Sequence, residues 1–506
     1  MGCETRAVRA MSDRSVTRYP RVLFAVSEVA PLVKTGGLAD VGAALPKALD
    51  RKGADLRIVV PGYGDLLAAL DATAVVFRGE VAGVGFEVLE AHVEQLPALW
   101  VVRCPPLFGR GGNPYLGPDG HDWPDNAERF ALFGRVIAAL ATRTVAGFRP
   151  DVLHLNDWQT GIAGALLGGL AERPAIVFTI HNLNFQGVFD YDWLGRLALP
   201  PELGSPERLE FHGRISFIKG GLVFADAITT VSPGYAREIQ MPEHGVGLDG
   251  LLRHRADDLV GIVNGVDTEI WDPARDPHIS APYDVGTLER KRDNKRALQA
   301  AMGLPVADVP LLGMVSRLTE QKGIDLVVEA MPALRELGVQ LAILGTGSAP
   351  LEGSLAAAAA ADPAHVAYRK GFDEPLAHLV EAGADLFLMP TRFEPCGLNQ
   401  LYSMAYGTPP IVHRTGGLAD TVHEARLAGP APGAAVEGSG FVFDHPRTDD
   451  LIAAVRRALD WWRQPDRFRA LQVSAMSQDV GWENSARAYL DLYARILARR
   501  GGVASP

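Results

Sequence analysis

Six residues, Thr-Gly-Gly-Leu-Ala-Asp, occur twice in this chain, at 35–40 behind Lys34 and at 415–420 behind Arg414. Each copy follows an apolar run, Val22-Leu-Phe-Ala-Val26 in one case and Pro410-Ile-Val-His413 in the other, and each precedes a helical pattern. A strand, a glycine turn and a helix in succession aim free backbone N–H groups and a positive dipole end at one point. Glycine lets the backbone approach a ligand with no Cβ in the way. The same alternation fills the rest of the chain. Leu56–Val60, Val152–Leu155, Ile176–Ile180 and Ala227–Val231 read as strands in the first half. Leu311–Val315, Leu341–Leu344 and Asp385–Met389 continue the series in the second. Apolar runs of this length, each followed by a helix, predict parallel strands covered on both faces, the doubly wound α/β class.

The series restarts after Asn264-Gly-Val-Asp267, where a stretch rich in proline and charge, Trp271 to Asp284, reads as a linker. Two domains suit a chain of 506 residues. The expected division is an extension at 1–19, a first domain at 20–262, a second at 263–481 and a terminal helix at 482–500. That helix is expected from apolar positions Ala486, Tyr489, Leu490, Tyr493, Ile496 and Leu497. Residues 1–19 carry four arginines but no apolar core, so they are not a secretory signal, and disorder is expected. A transit peptide and a start at Met11 both remain open for that stretch. Six alanines in a row within Leu351 to Asp362 predict a helix on propensity alone.

Composition excludes several classes. There are 49 Lys+Arg against 60 Asp+Glu, a net charge of −11, which argues against nucleic acid as a partner. No run is long and apolar enough to span a membrane. The three cysteines, Cys3, Cys104 and Cys396, form no CxxC pair, so neither zinc nor a disulfide framework is expected and a cytoplasmic setting fits best. Homo-oligomers are left open. No Walker A loop, HExxH, GxSxG or GxGxxG occurs.

What remains points to an anion and a polar ligand at strand ends. Ser316-Arg-Leu-Thr-Glu-Gln-Lys-Gly323 follows a strand, and Arg317 and Lys322 can converge on one diphosphate there, the first as a fork of donors and the second as a point charge. Arg392-Phe-Glu-Pro-Cys-Gly-Leu-Asn-Gln400 places Glu394 where a carboxylate can bind sugar hydroxyls, with Cys396 as apolar filler. His154-Leu-Asn-Asp-Trp158 and Thr179-Ile-His-Asn182 set Asp157, His181 and Asn182 at strand ends of the first half. Asn264 sits at the junction. Lys34 supplies a flexible cation beside Gly36, Gly37 and Asp40.

Taken in order, Lys34–Val41, His154–Trp158, His181-Asn182, Asn264–Asp267, Ser316–Gly323, Phe393–Leu398 and Arg414–Asp420 resemble the bacterial glycogen synthases and plant starch synthases, from about Pro20 to Tyr493. The resemblance implies a GT-B fold, two Rossmann-like domains around a deep cleft. The first is the acceptor side and the second the donor side, with the terminal helix crossing back to the first. It implies transfer of glucose from ADP-glucose to the non-reducing end of an α-1,4-glucan with retention, without metal or other cofactor. By the same resemblance Lys34 contacts the donor and Arg317 and Lys322 hold its diphosphate. Glu394 binds glucose hydroxyls, His181 lies by the ring, and Asp157 and Asn264 line the cleft. Thr415, Gly416, Gly417 and Leu418 are expected to offer N–H groups to the distal phosphate. Two departures stand out: Tyr402 occupies the place of the second glutamate of many retaining GT-B enzymes, and Gln159 that of a common histidine. The rival readings are another donor, UDP-glucose or maltose-1-phosphate, and a non-catalytic glucan-binding protein on the same fold.

Overall fold

The computed structural model describes residues 19–70, 73–429 and 435–501. All but Tyr19 of the extension at 1–19 lies outside them. The apolar runs become strands whose side chains are buried on both faces. Arg21–Ala25, Asp55–Pro61, Val152–Asn156, Ala175–Ile180 and Ala227–Thr230 belong to one nine-stranded sheet. From one edge the order is Leu259–Gly261, Ala227–Thr230, Ala175–Ile180, Val152–Asn156, Arg21–Ala25, Asp55–Pro61 and Ala98–Arg103, all parallel. Val84–Ala91 and Thr73–Val81 then extend the sheet antiparallel. That pair was not anticipated.

The second half builds a six-stranded parallel sheet in the order Val366–Lys370, Gln340–Gly347, Leu311–Leu318, Leu386–Met389, Pro410–His413, Phe441–Phe443. Its helices include the alanine-rich Ala349–Ala361. The first sheet has one large core, and separate clusters cover the two faces of the second.

The final helix, Glu483–Gly501, leaves the second sheet and joins the first core through Ala486, Tyr489, Leu492, Tyr493 and Ile496. The Tyr493 hydroxyl meets His154 Nδ1 at 2.7 Å. The chain therefore passes between the halves twice, and the passages touch. Val266 N–H donates to the Val480 carbonyl at 2.8 Å, and a Cβ at Gly265 would sit 2.6 Å from the backbone of Gly481 and Trp482. Among the described residues no helix is long and apolar enough to cross a membrane.

Candidate active site

A cavity of about 920 Å³ lies between the carboxyl ends of the two sheets, where open α/β sheets take their ligands. Each half contributes one wall.

On the second wall, Arg317 stands near the end of the strand Leu311–Leu318 and Lys322 closes the following turn, Glu320–Lys322. Gly323 ends that turn at φ +67°, and a Cβ there would lie 2.1 Å from the Pro390 carbonyl. Glycine thus lets the turn press against the strand end that leads to Glu394. The Lys322 ammonium reaches the buried Glu394 carboxylate at 2.5 Å. Arg317 is exposed and has no carboxylate within ion-pair distance among the described residues. Cys396 lines the same wall, and burial pushes its thiol up to about 12, which suits a filler rather than a nucleophile.

The first wall holds Lys34, Gly36, Gly37 and Asp40. The helix Gly37–Arg51 opens there, with no side chain capping its first turn. Lys34 pairs with Asp40 at 2.9 Å and, across the cleft, with Glu374 at 3.7 Å. Burial alone would lower the Lys34 pKa, but the two carboxylates outweigh it and raise it. A residue missed in the sequence fixes this loop. Glu28 is buried just past the first strand, and its carboxylate accepts the Thr35 N–H at 2.5 Å, the Thr35 hydroxyl at 2.6 Å and the Tyr115 hydroxyl at 2.6 Å. A carboxylate two residues beyond an apolar run, ahead of a Gly-Gly turn, was the available signal.

Behind these lie the polar strand ends. Asp157 takes a left-handed φ of +54° and accepts the His181 N–H at 2.7 Å. Burial raises its carboxyl to about 7, against the lowering effect of the His181 and Asn182 amides. His181 Nε2 meets Asn156 Oδ1 at 2.9 Å, while Asn156 Nδ2 donates to the Ala25 carbonyl at 2.9 Å. Those roles put the His181 proton on Nε2, and burial drops the imidazole pKa to about 3, so the ring is neutral. His154, by contrast, is a core residue bonded to Tyr493 and Thr179. Asn182 lines the cavity, and so do Asn264 and Gln159, whose buried amide oxygens accept no hydrogen bond among the described residues.

The second glycine loop is placed differently from expectation. Thr415, Gly416, Gly417 and Leu418 are buried behind the wall and do not line the cavity. The Gly416 N–H donates to Glu238 at 2.7 Å, the Gly417 N–H to the Glu394 carbonyl at 3.0 Å, and the Leu418 N–H to the Thr415 carbonyl at 3.0 Å. With these amides spent inside the protein, the loop supports Glu394 from behind rather than offering donors to a phosphate. Gly397, Leu398 and Asn399, just past Glu394, face the cavity instead. Tyr402 lines it too, against Trp271. Among the described residues no group of His, Cys, Asp and Glu is arranged to hold a metal ion.

The chain is similar to known proteins over nearly its whole length. Residues 21–254 match the family model described as starch synthase catalytic domain, and residues 299–470 match glycosyl transferases group 1. The chain is 51% identical to glycogen synthase 1 of Methylococcus capsulatus over 94% of its own length and 97% of that protein. It is 50% identical to glycogen synthase of Cellvibrio japonicus, covering 94% and 99%. The solved catalytic domain of starch synthase IV from Arabidopsis thaliana, bound to ADP and acarbose, superposes with a TM-score of 0.84 at 32% identity, covering 95% of this chain and all of that one.

Proposed function

Because this chain belongs to the glycogen and starch synthase family, with the GT-B fold, we propose that it elongates glycogen by transferring glucose from ADP-glucose to the non-reducing end of an α-1,4-glucan, with retention. One observation carries the reading. Two cations and a carboxylate on one wall, Arg317, Lys322 and Glu394, meet Lys34 and the Gly36-Gly37 turn on the other within a single cavity. The wild-type enzyme with glycogen should release ADP from ADP-glucose and lengthen chains, with UDP-glucose much the poorer donor. No chain growth with ADP-glucose, or a preference for UDP-glucose, would overturn the reading.

The chemistry follows from the charges. The bond from the glucose anomeric carbon to the diphosphate breaks, and the electron pair stays on the phosphate. Arg317 and Lys322 stabilise that growing charge, joined by the uncapped helix start at Gly37 and by Lys34. Glu394, beside Lys322, accepts hydrogen bonds from the glucose hydroxyls, so the donor lies astride the Lys322–Glu394 pair. The buried amide oxygens of Asn264 and Gln159 serve as further hydroxyl acceptors. Neutral His181 and Asp157 line the sugar side. The acceptor hydroxyl forms the new bond on the face the phosphate leaves, and its proton passes to a phosphate oxygen, which preserves configuration. Side-chain cations neutralise the diphosphate in this scheme, so transfer is proposed to need no metal or other cofactor. Turnover should persist in EDTA; its loss, restored by a divalent ion, would reject that point.

A further inference from the structure

One short segment of the first half touches the second at three places, all behind Glu394. Ser232 Oγ, fully buried, donates to the Pro395 carbonyl at 2.6 Å and accepts the Tyr235 N–H at 3.0 Å, capping the helix Pro233–Glu238. The Gly234 N–H donates to Asp420 at 2.5 Å. Glu238 Oε1 accepts the Thr415 hydroxyl at 3.0 Å and the Gly416 N–H at 2.7 Å. The turn that Glu238 grips is the one whose Gly417 N–H holds the Glu394 carbonyl at 3.0 Å. A Cβ at Gly416 would lie 2.0 Å from that same oxygen, so turn and carbonyl move together. The backbone of Glu394-Pro395 is thus tied to the opposite half twice, directly through Ser232 and through one turn by Glu238.

Neither Ser232 nor Glu238 lines the cavity, so neither meets substrate. Glu238 also leaves its second carboxylate oxygen buried without a partner among the described residues, a desolvation cost that a merely adhesive contact would avoid by facing water. The contacts converge on the one stretch whose side-chain anchor must be shared, because Lys322 serves both Glu394 and the diphosphate. Once the donor arrives, backbone ties are what keep Glu394 in place. Resting on the function proposed above, we propose that Ser232 and Glu238 are positioning residues that bring Glu394 to its working place only when the two halves are together, coupling the grip on glucose to closure of the cleft.

The full chain and three variants, Glu238→Ala, Glu238→Gln and Ser232→Ala, test this with glycogen and ADP-glucose for kcat and KM, and with calorimetry for ADP. Misplacing a substrate-positioning group by about 1 Å can cost about 100-fold, so kcat of Glu238→Ala and Ser232→Ala is expected to fall at least about 10-fold. ADP affinity should fall less than kcat does, because Arg317 and Lys322 sit on the same half as each other and only the Lys34 wall depends on closure. Glu238→Gln, whose amide oxygen accepts the same two bonds, should recover at least about half of the wild-type kcat. The proposal is overturned if both alanine variants keep kcat within about twofold, if ADP affinity falls in step with kcat, or if Glu238→Gln is as slow as Glu238→Ala. Should Glu238→Ala melt early, Ser232→Ala decides alone. A wild-type enzyme that lengthens no glucan refutes the function itself; variants that behave like an active wild type refute only the coupling.

Discussion

Lys322 has one ammonium and two demands on it. In the structure it holds Glu394 at 2.5 Å, and the reaction asks it to hold a leaving phosphate as well. Removing a preorganised charge partner of this kind costs about 2.7–4 kcal/mol in the transition state, so Lys322→Ala should lower kcat at least about 100-fold with the fold retained. A turnover assay beside a thermal melt checks it, and near-normal turnover would end the diphosphate role. Gly417 makes a second case. A Cβ there would lie 2.2 Å from the Cys396 carbonyl, so Gly417→Ala must push the Glu394–Cys396 stretch toward the cavity. Activity should drop about 10-fold or more, with little change in the melting of the first half. Asp157 provides a pH test. Its folded carboxyl pKa, about 7, is above the unfolded value near 3.8, so the folded state binds the extra proton and loses stability as pH rises from about 4 through 7. Asp157→Asn keeps an acceptor for the His181 amide without that loss. Its gain in Tm over wild type should therefore be larger at pH 8 than at pH 5, and an equal gain at both would contradict the buried charge. The first-wall candidates were legible because each stands at the end of an apolar run. Glu238 was not, since its partner Gly416 is 178 positions away and no local pattern links them.

Among the elements, legibility followed burial. The parallel strands were readable because both faces are covered, which leaves unbroken apolar runs such as Ala175–Ile180. Thr73–Val81 and Val84–Ala91 escaped because they form the edge of the sheet, and most of their side chains are only partly buried or exposed. Their connection is a two-residue turn with Ala82 at φ +50° and Gly83 at φ +80°, which requires left-handed backbone at both positions. An Asn-Gly turn would have announced the hairpin; Ala-Gly did not. The terminal helix was readable as a helix from its spacing, but its docking depends on polar contacts that periodicity does not carry. The Tyr493 hydroxyl joins a buried chain with His154, which in turn meets Thr179 at 2.6 Å. Since burial holds the His154 pKa down to about 3, the ring is neutral and needs that hydroxyl. Tyr493→Phe should cost about 1–3 kcal/mol and lower Tm without changing KM for ADP-glucose, as measured by thermal melting and steady-state kinetics. An unchanged Tm would mean that apolar packing alone docks the helix.

For the molecule as a whole, the decisive feature is that the chain crosses between the halves at one narrow place. The sequence placed a linker from Trp271 to Asp284, yet that stretch is fastened to the second half. Trp271 stacks between His378 and Tyr402, 3.8 Å from each ring, and Asp276 bonds to His378 at 2.8 Å and Tyr406 at 2.6 Å. What can bend is narrower, Asn264–Asp267 beside Val480–Trp482, where the two passages touch. Closure matters because water that reached the activated donor would turn transfer into hydrolysis. The contacts across the cleft are largely charged and polar, including Lys34–Glu374, Arg237–Asp420 and Glu238 with its turn, so each half keeps a polar face toward the other when they part. ADP, held by cations on both walls, should therefore favour the closed arrangement, and small-angle scattering should show a smaller radius of gyration with ADP than without. Gly265→Val isolates the hinge. Its side chain would press against the backbone of Gly481 and Trp482, wedging the two passages apart and shifting Asn264, its neighbour on the cavity wall. That variant is expected to compact less on adding ADP and to turn over at least about 10-fold more slowly, since the loss comes from the geometry between the halves. Full compaction with normal turnover would show that the halves meet correctly without this crossing, and that the hinge lies elsewhere.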